Sequence, residues 1–359
     1  MRVAFVHDWL TGMRGGEFVL KELIKLFPDS EIFTLVYKKG VLEPEIEKKK
    51  IHTSFIQRLP FSQKFYRHYL PLFPAAVEEF RFEGFDLVFS SSHCVAKGAI
   101  PPPGIPHICY CHTPMRYAWD LFPDYFGNHG GIKRIFINSV MRALRTWDVA
   151  SSVRVDLFIA NSSWVRERIK RYYGREAVVV HPPVDTNFFQ CEKREAEHFL
   201  TVSSHVPYKR LDLLINAFLQ LRDLKLIVVG SGPLYRRHKR SAGKNVELIP
   251  RVSRRELKEL YCSATALLHP AKEDFGMVMA EAQSCGVPVI AYREGGALDI
   301  VREGTGEFFF PQSSQALVEV LRKFKPESYE PVKIRENALR FSTVNFRAKI
   351  LKLVEDTVK

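Results

Sequence analysis

The sequence predicts an α/β protein of two domains, each a doubly wound parallel sheet covered by helices. Three observations lead to this class. The chain has 359 residues, more than one hydrophobic core usually supports. Hydrophobic residues make up 46% of it and charged residues 26%, as in ordinary globular proteins. Short β-rich apolar segments alternate with helical segments along both halves, which is typical of βαβ units.

The first domain is predicted over residues 1–190. Buried strands are predicted where apolar, β-branched segments are bounded by turn residues, over 3–6, 31–36, 86–89, 107–111, 157–160 and 177–180. Helices are predicted between them, over 16–27, 62–80, 133–150 and 164–173. Pro182 and Pro183, followed by Asp and Asn residues, end the last strand and place a linker near residues 182–197.

The second domain is predicted over residues 191–340. Its strands are predicted at 199–202, 225–229, 246–249, 265–269 and 287–291, and its helices at 211–222, 253–262 and 276–285. Two further helices, broken near Ser342, are predicted in the tail. Ligands of open α/β sheets bind at the carboxyl ends of the strands, so we expect the chemistry in those loops. Two such domains with facing strand ends would form one central cleft.

Cysteine usage and charge exclude some classes of protein. Six cysteines in so long a chain do not form a disulfide framework, and we expect no structural disulfide. The sequence Cys109-Tyr110-Cys111-His112 has no second Cys/His pair, so we expect no metal site.

The net charge of +13 favours anionic partners. Apolar runs are too short to span a bilayer and an acid follows at Asp8, so a cytoplasmic protein is expected.

The strongest motif follows the predicted strand 265–269. A helix is predicted to open near Gly276, where the free N–H groups of Phe275, Gly276 and Met277 would form an anion site. Glu273 precedes these amides and Glu281 lies about one and a half turns inside the helix. Two carboxylates thus flank a predicted phosphate site, where they suit sugar hydroxyls.

This motif resembles the signature of the family 4 glycosyltransferases, retaining enzymes of the GT-B architecture, which is E-x7-E with F-G inside it. The resemblance implies that Glu273 and Asp274 lie at the donor sugar, and that the backbone from Phe275 to Met277 holds its hydroxyls and the distal phosphate. It implies that Glu281 binds the nucleotide ribose. It also implies that a last helix, residues 341–359, crosses back onto the first domain.

Other loops of the second domain agree with the resemblance. The segment 202–212 is similar to the R-L-x-P-x-K segment of the family, whose basic residues grip the diphosphate. Lys209 matches the lysine, whereas Ser204 stands where the family has arginine, and Arg210 is a possible substitute. Gly230 belongs to a G-x-G-P turn. Arg251 and Val252 occupy the place where the family presents backbone to the nucleobase.

In the first domain, the loop before the first helix contains Gly15 and Gly16, which suit close approach to a phosphate or sugar. The string H-T-P-x-R-Y, beginning at His112, resembles a bacterial O-antigen mannosyltransferase branch of the family. By resemblance His112 lies beside the donor sugar. The acceptor side is then lined by Arg116, Tyr117, Trp119 and Asp120.

The implied reaction is transfer of mannose from GDP-mannose to a hydroxyl of a lipid-linked or cell-surface glycan, with a UDP-sugar as the alternative donor. The residues expected to carry the chemistry are His112, Lys209 and Glu273. No cofactor and no metal is expected, because Lys209 and a helix terminus can stabilise the leaving diphosphate. By family analogy the acceptor attacks from the same face, assisted by the leaving phosphate.

Two other classes of protein fit the sequence less well. A Rossmann dehydrogenase needs G-x-G-x-x-G after the first strand, and Gly12, Gly15 and Gly16 have the wrong spacing. A nucleic-acid-binding protein would explain the basic charge. However, residues 1–190 carry +6 and residues 191–359 carry +7, so the charge is spread evenly, and no nucleic-acid motif is recognised. We therefore expect no nucleic-acid partner.

A basic segment at 133–145 predicts contact with an anionic membrane. At 100° per residue, Arg134, Arg142 and Arg145 share one helix face, while Phe136, Ile137, Val140 and Leu144 occupy another. The segment 64–70 also interleaves aromatic and basic residues. The alternative is that each helix packs its apolar stripe on the sheet and shows its charges to water. Because members of the O-antigen branch elongate lipid-linked acceptors, the resemblance implies an enzyme peripheral to the inner face of the cytoplasmic membrane.

Overall fold

A computed structural model describes residues 1–126, 130–191 and 196–358. The chain forms two compact units. The first contains Met1–Pro183 together with Phe346–Lys359, and the second is Val184–Asn345. The boundary thus follows Pro183 directly, which lies within the linker predicted near residues 182–197 and before the predicted domain limit at residue 190.

The first unit contains a seven-stranded sheet in which every strand pair is parallel. Its strands are β1 (Val3–His7), β2 (Glu31–Thr34), β3 (Ile51–Thr53), β4 (Leu87–Ser92), β5 (His107–Cys111), β6 (Leu157–Ala160) and β7 (Ala177–Val179), in the order β3-β2-β1-β4-β5-β6-β7. The short edge strand β3 was not predicted. The register places His7 beside Ser91, and Ser92 beside Cys111, so these strands end together at one edge of the sheet.

Helices cover both faces of this sheet. They are α1 (Gly15–Leu26), α2 (Pro44–Glu47), α3 (Ser62–Phe65), α4 (Phe73–Glu78), α5 (Phe122–Phe126), α6 (Gly131–Ser151) and α7 (Ser163–Tyr173). The prediction of one helix over 62–80 was wrong. A 3-10 helix, Tyr66–Leu72, separates α3 from α4 and contains Pro71, which removes a backbone donor and prevents a continuous α-helix.

Alternate residues of β1 explain the two layers of helices. Ala4 and Val6 belong to one hydrophobic cluster, and Val3 and Phe5 belong to another, as expected for a strand buried on both faces. The last helix of the chain, α15 (Thr343–Val358), packs Phe346 into the second of these clusters. The end of the chain therefore forms part of the first unit.

The second unit contains a six-stranded sheet with parallel pairs in the order β10-β9-β8-β11-β12-β13. Its strands are β8 (His198–Val202), β9 (Leu226–Val229), β10 (Val246–Ile249), β11 (Ala264–His269), β12 (Val289–Tyr292) and β13 (Gly306–Phe309). Its helices are α8 (Leu211–Phe218), α9 (Tyr235–Ser241), α10 (Arg254–Cys262), α11 (Met277–Ser284), α12 (Ala297–Ile300), α13 (Ser314–Lys323) and α14 (Pro331–Leu339). Both units are Rossmann-like, and the predicted α/β class is confirmed.

The expectation of no structural disulfide was wrong. Cys191 and Cys262 are joined, with their Cα atoms 5.6 Å apart. Cys191 lies near the start of the second unit, which begins at Val184, and Cys262 is the last residue of α10. The pairing was not visible in the sequence because 71 residues separate the two cysteines, and only the packing of α10 brings them together.

Candidate active site

In the second unit, the fold brings together two of the residues predicted to carry the chemistry. Lys209 ends a short 3-10 helix after β8, and Glu273 lies in the loop between β11 and α11. The Lys209 ammonium forms an ion pair with the Glu273 carboxylate. Both side chains are largely buried, at 13% and 17% exposed. A cation and a carboxylate thus occupy one pocket at the carboxyl ends of neighbouring strands.

His269 adds a group that the sequence analysis missed. It is the last residue of β11, and its Nε2 lies 3.4 Å from Oε1 of Glu273. Burial lowers the pKa of His269, against the opposing effect of Glu273, so the ring is neutral at pH 7. The available signal was a histidine at the end of a buried strand, four residues before the motif glutamate.

The start of α11 has the geometry of an anion site. Gly276 has a φ of 92°, a left-handed conformation that favours glycine, and the nearest atom to an added Cβ would be the movable Cε of Met279. The first amides of a helix have no intrahelical acceptors and are favoured by the helix dipole as anion ligands. Phe275 contributes its backbone only, because its side chain packs against Phe341 in the core. Asp274 is also buried.

Gly295 and Gly296, in the loop after β12, pack against the backbone of the loop that carries Glu273. The Gly296 N–H donates a hydrogen bond of 2.9 Å to the carbonyl oxygen of Glu273. A Cβ on Gly295 would lie 2.3 Å from that carbonyl oxygen, and one on Gly296 would lie 2.3 Å from Cα of Phe275. The loop after β12 therefore supports the Glu273 segment directly, with no room for side chains between the two backbones.

Glu281 lies on α11 and is held by a tyrosine that the sequence analysis did not identify. The hydroxyl of Tyr261, in α10, donates a hydrogen bond of 3.0 Å to Oε2 of Glu281. Desolvation raises the pKa of Glu281, and the Tyr261 hydrogen bond acts in the opposite direction. Tyr261 itself is fully buried. The carboxylate is thus oriented from one side and keeps a second oxygen for a ligand.

The loops after β8 and β9 fit closely against each other. A Cβ on Gly230 would lie 1.9 Å from the carbonyl oxygen of Ser203, so this glycine allows the two backbones to meet. Ser204 is exposed, as is Arg251. The Arg210 guanidinium contacts Asp212, with Nε 3.3 Å from Oδ1, and donates to Gln312.

Three predicted positions of the second unit are defined by backbone conformation or by packing. Arg210 has a φ of 51° at the start of α8. Val252, after β10, and Met277, at the start of α11, pack partly against the hydrophobic cluster of the second unit. Their backbones remain the groups available to a ligand.

The candidate site of the first unit is built around His112, directly after β5. Its Nε2 lies 2.8 Å from the hydroxyl of Ser91, which also lies 3.1 Å from Nδ1 of His7. Burial, with the neighbouring histidines, lowers the pKa of His112 well below its ordinary value, so the ring is neutral. Gly16 lies against both rings, since a Cβ there would be 3.4 Å from His7 and 3.7 Å from His112. Gly15, beside it, is exposed.

Asp8 was missed as a site residue, although it organises this edge of the sheet. Its buried carboxylate accepts four backbone hydrogen bonds, from His93, Cys94, Val95 and Ala96. It also lies 3.0 Å from Nδ1 of His93. Although burial opposes ionisation, these contacts hold the pKa of Asp8 far below its usual range. The carboxylate thereby fixes the loop after β4 next to His112.

The residues predicted on the acceptor side form an internal network. Tyr117 contacts Sγ of Cys94 at 2.7 Å. Trp119 donates a hydrogen bond of 2.8 Å to Asp148 of α6, and Asp120 forms a 2.6 Å ion pair with Arg168 of α7. These contacts anchor the loop after β5. Arg116, in the same loop, is partly exposed.

Two Rossmann-like units, with a Glu273–Lys209 pair and a helix N-terminus at the strand ends of the second, fit a glycosyltransferase that uses nucleotide sugars. A model of "Glycosyl transferases group 1" matches residues 183–341, and one of "Glycosyltransferase Family 4" matches residues 13–188. Together the two models account for both units. The chain belongs to the family 4 glycosyltransferases, as the motifs predict.

Individual relatives of the chain include glycosyltransferases, and similar solved structures do as well. An uncharacterised glycosyltransferase of Methanocaldococcus jannaschii is 25% identical over 85% of this chain and 82% of its own length. A GDP-mannose-dependent phosphatidylinositol monomannoside mannosyltransferase of Mycolicibacterium smegmatis is 30% identical over 40% of this chain, which is 46% of that protein. Among solved structures, Anabaena HepE with UDP has a TM-score of 0.74 and 19% identity, covering 99% of this chain and all of HepE. WaaG, a glycosyltransferase of lipopolysaccharide biosynthesis, has a TM-score of 0.69 and 18% identity, covering 98% and 99%.

Proposed function

We propose that this enzyme transfers mannose from GDP-mannose to a hydroxyl of a lipid-linked or cell-surface glycan, with retention at the anomeric carbon. The observation that carries the proposal is the Lys209–Glu273 pair beside the start of α11. This arrangement offers a carboxylate to sugar hydroxyls, and a cation with free amides to a diphosphate.

The donor is proposed from the relatives and from the H-T-P-x-R-Y string that begins at His112. Two relatives are GDP-mannose-dependent mannosyltransferases, which match 40% and 28% of this chain. A UDP-sugar is the second candidate, because HepE, which has the same fold, was solved with UDP-glucose. The two candidates share the diphosphate and differ in the base and the sugar.

The leaving diphosphate gains charge as the bond from the anomeric carbon to the phosphate oxygen breaks. Lys209 and the amides at the start of α11 stabilise that charge without reorganisation, which is the largest contribution in many transferases. The acceptor oxygen bonds to the same face of the anomeric carbon, and its proton passes to the departing phosphate oxygen. Glu273 holds the sugar hydroxyls.

We also propose that the reaction needs no metal and no cofactor. Lys209 already supplies a positive charge beside Glu273, which is the role that a divalent cation has in other transferases. Transfer should therefore continue at the same rate in EDTA. A loss of activity in EDTA that is restored by Mg²⁺ or Mn²⁺ would contradict this part of the proposal.

A donor panel tests the main proposal. Melting temperature and transfer are measured with GDP, UDP, GDP-mannose, UDP-glucose and UDP-N-acetylglucosamine. GDP and GDP-mannose should raise the melting temperature, and GDP-mannose should be consumed. Stabilisation by UDP compounds alone would reject GDP-mannose and favour the second candidate.

The acceptor is proposed to be met at an anionic membrane, where the first unit docks. No helix within the described residues is long and apolar enough to cross a bilayer. Ile135 and Phe136 of α6 are 68% and 65% exposed, and they follow the exposed bases Lys133 and Arg134. Phe61 is 79% exposed near the start of α3. Exposed apolar groups beside bases are typical of proteins that dock on anionic lipid.

The structure corrects the helix faces predicted for α6. Leu144 is buried, and Ile137 and Val140 pack against the cluster that also takes Tyr66, whereas Phe136 points to solvent. Of the three arginines predicted on one face, Arg134 and Arg142 are exposed, whereas Arg145 is partly buried and its Nε donates to the carbonyl oxygen of Ala118. The docking surface is therefore the first turn of α6 rather than one full face of the helix.

Sedimentation with liposomes tests the docking. Binding should need anionic lipid and weaken as salt rises. It should fall about tenfold or more in the Ile135→Asp, Phe136→Asp double variant, because burying one Phe side chain is worth about 1.5–3 kcal/mol. Val153→Asp is the matched control, because Val153 is 74% exposed about 25 Å further along. Equal loss in the control, or no binding at low salt, would reject the surface.

A further inference from the structure

Three cysteines of the second unit meet at one place. Cys191 and Cys262 form the disulfide, and Cys285, directly after α11, is a thiol. The three Sγ atoms all lie within 4.8 Å of one another. Cys191 and Cys262 are partly exposed, whereas Cys285 is 3% exposed. A reagent can thus approach the disulfide from solvent, with a third sulfur behind it.

These sulfurs lie next to the groups that orient Glu281. Tyr261, which donates to Glu281, is the residue before Cys262. Cys285 is one helical turn after Glu281, and its N–H donates to the Glu281 carbonyl oxygen at 3.2 Å. One sulfur therefore ends the helix that carries the hydrogen-bond donor, and another follows the helix that carries the acceptor.

The segment before Cys191 packs on the same helix end. The rings of Phe189 and Tyr261 are 5.7 Å apart, with an interplanar angle of 78°. At the start of α10, Arg254 lies 4.3 Å from the centre of the Phe188 ring and donates to Asp185 at 2.9 Å. The disulfide thus joins residues 185–191 to the last residue of α10, while the Arg254 contacts join them to its first residue. Without the disulfide, the last turn of α10 would keep only the packing of Phe189 on Tyr261, and the Arg254 contacts would hold the start of the helix.

We propose that Cys191, Cys262 and Cys285 form a thiol–disulfide exchange site that controls how tightly the Glu281 pocket binds a nucleoside diphosphate. The inference rests on the proposed function, since it takes Glu281 as a nucleotide ligand. The oxidised form holds Tyr261 against Glu281 and binds tightly. The reduced form frees the end of α10 and binds more weakly.

The chemistry needs one external partner, a dithiol. Its thiolate attacks a sulfur of the disulfide and releases the other as a thiolate, and its second thiol then displaces the protein sulfur. The protein gains two electrons and two protons, and the dithiol leaves as a disulfide. Internal exchange needs no partner: Sγ of Cys285 bonds to Sγ of Cys262, the Cys191–Cys262 bond breaks, and Cys191 takes the proton that Cys285 loses.

The first test compares the full-length protein before and after treatment with dithiothreitol. Dissociation constants for GDP and UDP are measured by calorimetry, and the disulfide is located by non-reducing peptide mapping. Reduction should raise the dissociation constant of the bound nucleotide about fivefold or more, the lower end of ordinary coupling between sites. Cys109→Ala, which removes a buried thiol of the first unit, should respond to dithiothreitol as the wild type does.

Two variants separate the parts of the inference. Cys191→Ser should bind nucleotide as weakly as the reduced wild type, and after mild oxidation it should form a Cys262–Cys285 disulfide. Equal nucleotide affinities in oxidised and reduced wild type would overturn the control of the pocket, whether or not the variants fold. Absence of the Cys262–Cys285 disulfide would overturn the exchange.

Two further outcomes have distinct meanings. Glu281→Ala with unchanged affinity for both nucleotides would contradict the proposed function itself, whereas a weakened Glu281→Ala beside a redox-insensitive wild type would contradict only this inference. Reduced protein that retains one zinc ion after dialysis with zinc chloride would replace the exchange site with a metal site.

Discussion

The Gly296→Ala substitution isolates the support of the Glu273 loop. Gly296 has a φ of −65°, which alanine adopts without strain, so the new methyl group acts by contact alone. Its carbon would lie 2.3 Å from Cα of Phe275, 2.5 Å from the Phe275 carbonyl oxygen and 2.6 Å from that of Asp274. All three are backbone atoms and cannot rotate away, so the loop itself must move.

The size of the effect follows from these distances. Restoring an ordinary contact of 3.4 Å requires the loop to move by about 1 Å, and a misplacement of that size at a reacting centre costs about 10²-fold in rate. Overpacking of this kind lowers the free energy of unfolding by about 1–3 kcal/mol. We therefore expect a folded enzyme with a slightly lower melting temperature and about a hundredfold lower kcat/KM.

The assay is nucleotide release from the donor that the panel identifies, beside urea unfolding of the same sample. Gly304→Ala is the control, because Gly304 has a φ of 75° and no atom lies within 4 Å of its added Cβ. It should lose about 1 kcal/mol of stability through backbone strain and keep its transfer rate. A Gly296→Ala enzyme with wild-type kcat/KM would refute the claim that this loop positions Glu273.

Four further outcomes are expected. Glu273→Gln should abolish transfer and keep nucleotide affinity, as measured by nucleotide release and calorimetry. Glu281→Ala should weaken nucleotide binding by about 1–3 kcal/mol, and exchanged phenotypes would reject both assignments. Lys209→Ala should slow transfer severely, because a cation is lost where charge develops, and near-normal turnover would place the diphosphate elsewhere. Burial, with a smaller effect of His238, lowers the pKa of His205 to about 4. Because the unfolded chain then binds the extra proton, stability should fall as the pH drops from about 6.5 to 4, and His205→Gln should reduce that slope in urea unfolding.

Local pattern was sufficient for the alternating strands and helices of both units. Val3–His7 is entirely buried, so its apolar run carried the signal of a parallel strand. Local pattern was insufficient for the segment 62–80. One helix was predicted there, but Pro71 interrupts it and a 3-10 helix forms instead. The edge strands β3 and β13 were missed, since three or four residues carry little periodicity.

In the candidate site, the motif residues could be predicted from the sequence, whereas most of their partners could not. Glu273, Gly276 and Glu281 lie within nine consecutive residues, and the whole string, rather than the spacing of the two glutamates, resembles the signature of the family 4 glycosyltransferases. Their partners, His269 excepted, come from other strands and helices. Tyr261, in α10, reaches Glu281, in α11, across 20 residues of chain, and nothing in its local sequence distinguishes it from a core tyrosine.

The sequence by itself determined the fold class and the family, because these depend on local periodicity and on short motifs. Only the tertiary structure decided which groups hold those residues in place. Lys209 meets Glu273 across 64 residues of chain, and Cys191 meets Cys262 across 71. Such contacts depend on the order of strands in the sheet and on the packing of helices over it, which no local pattern specifies.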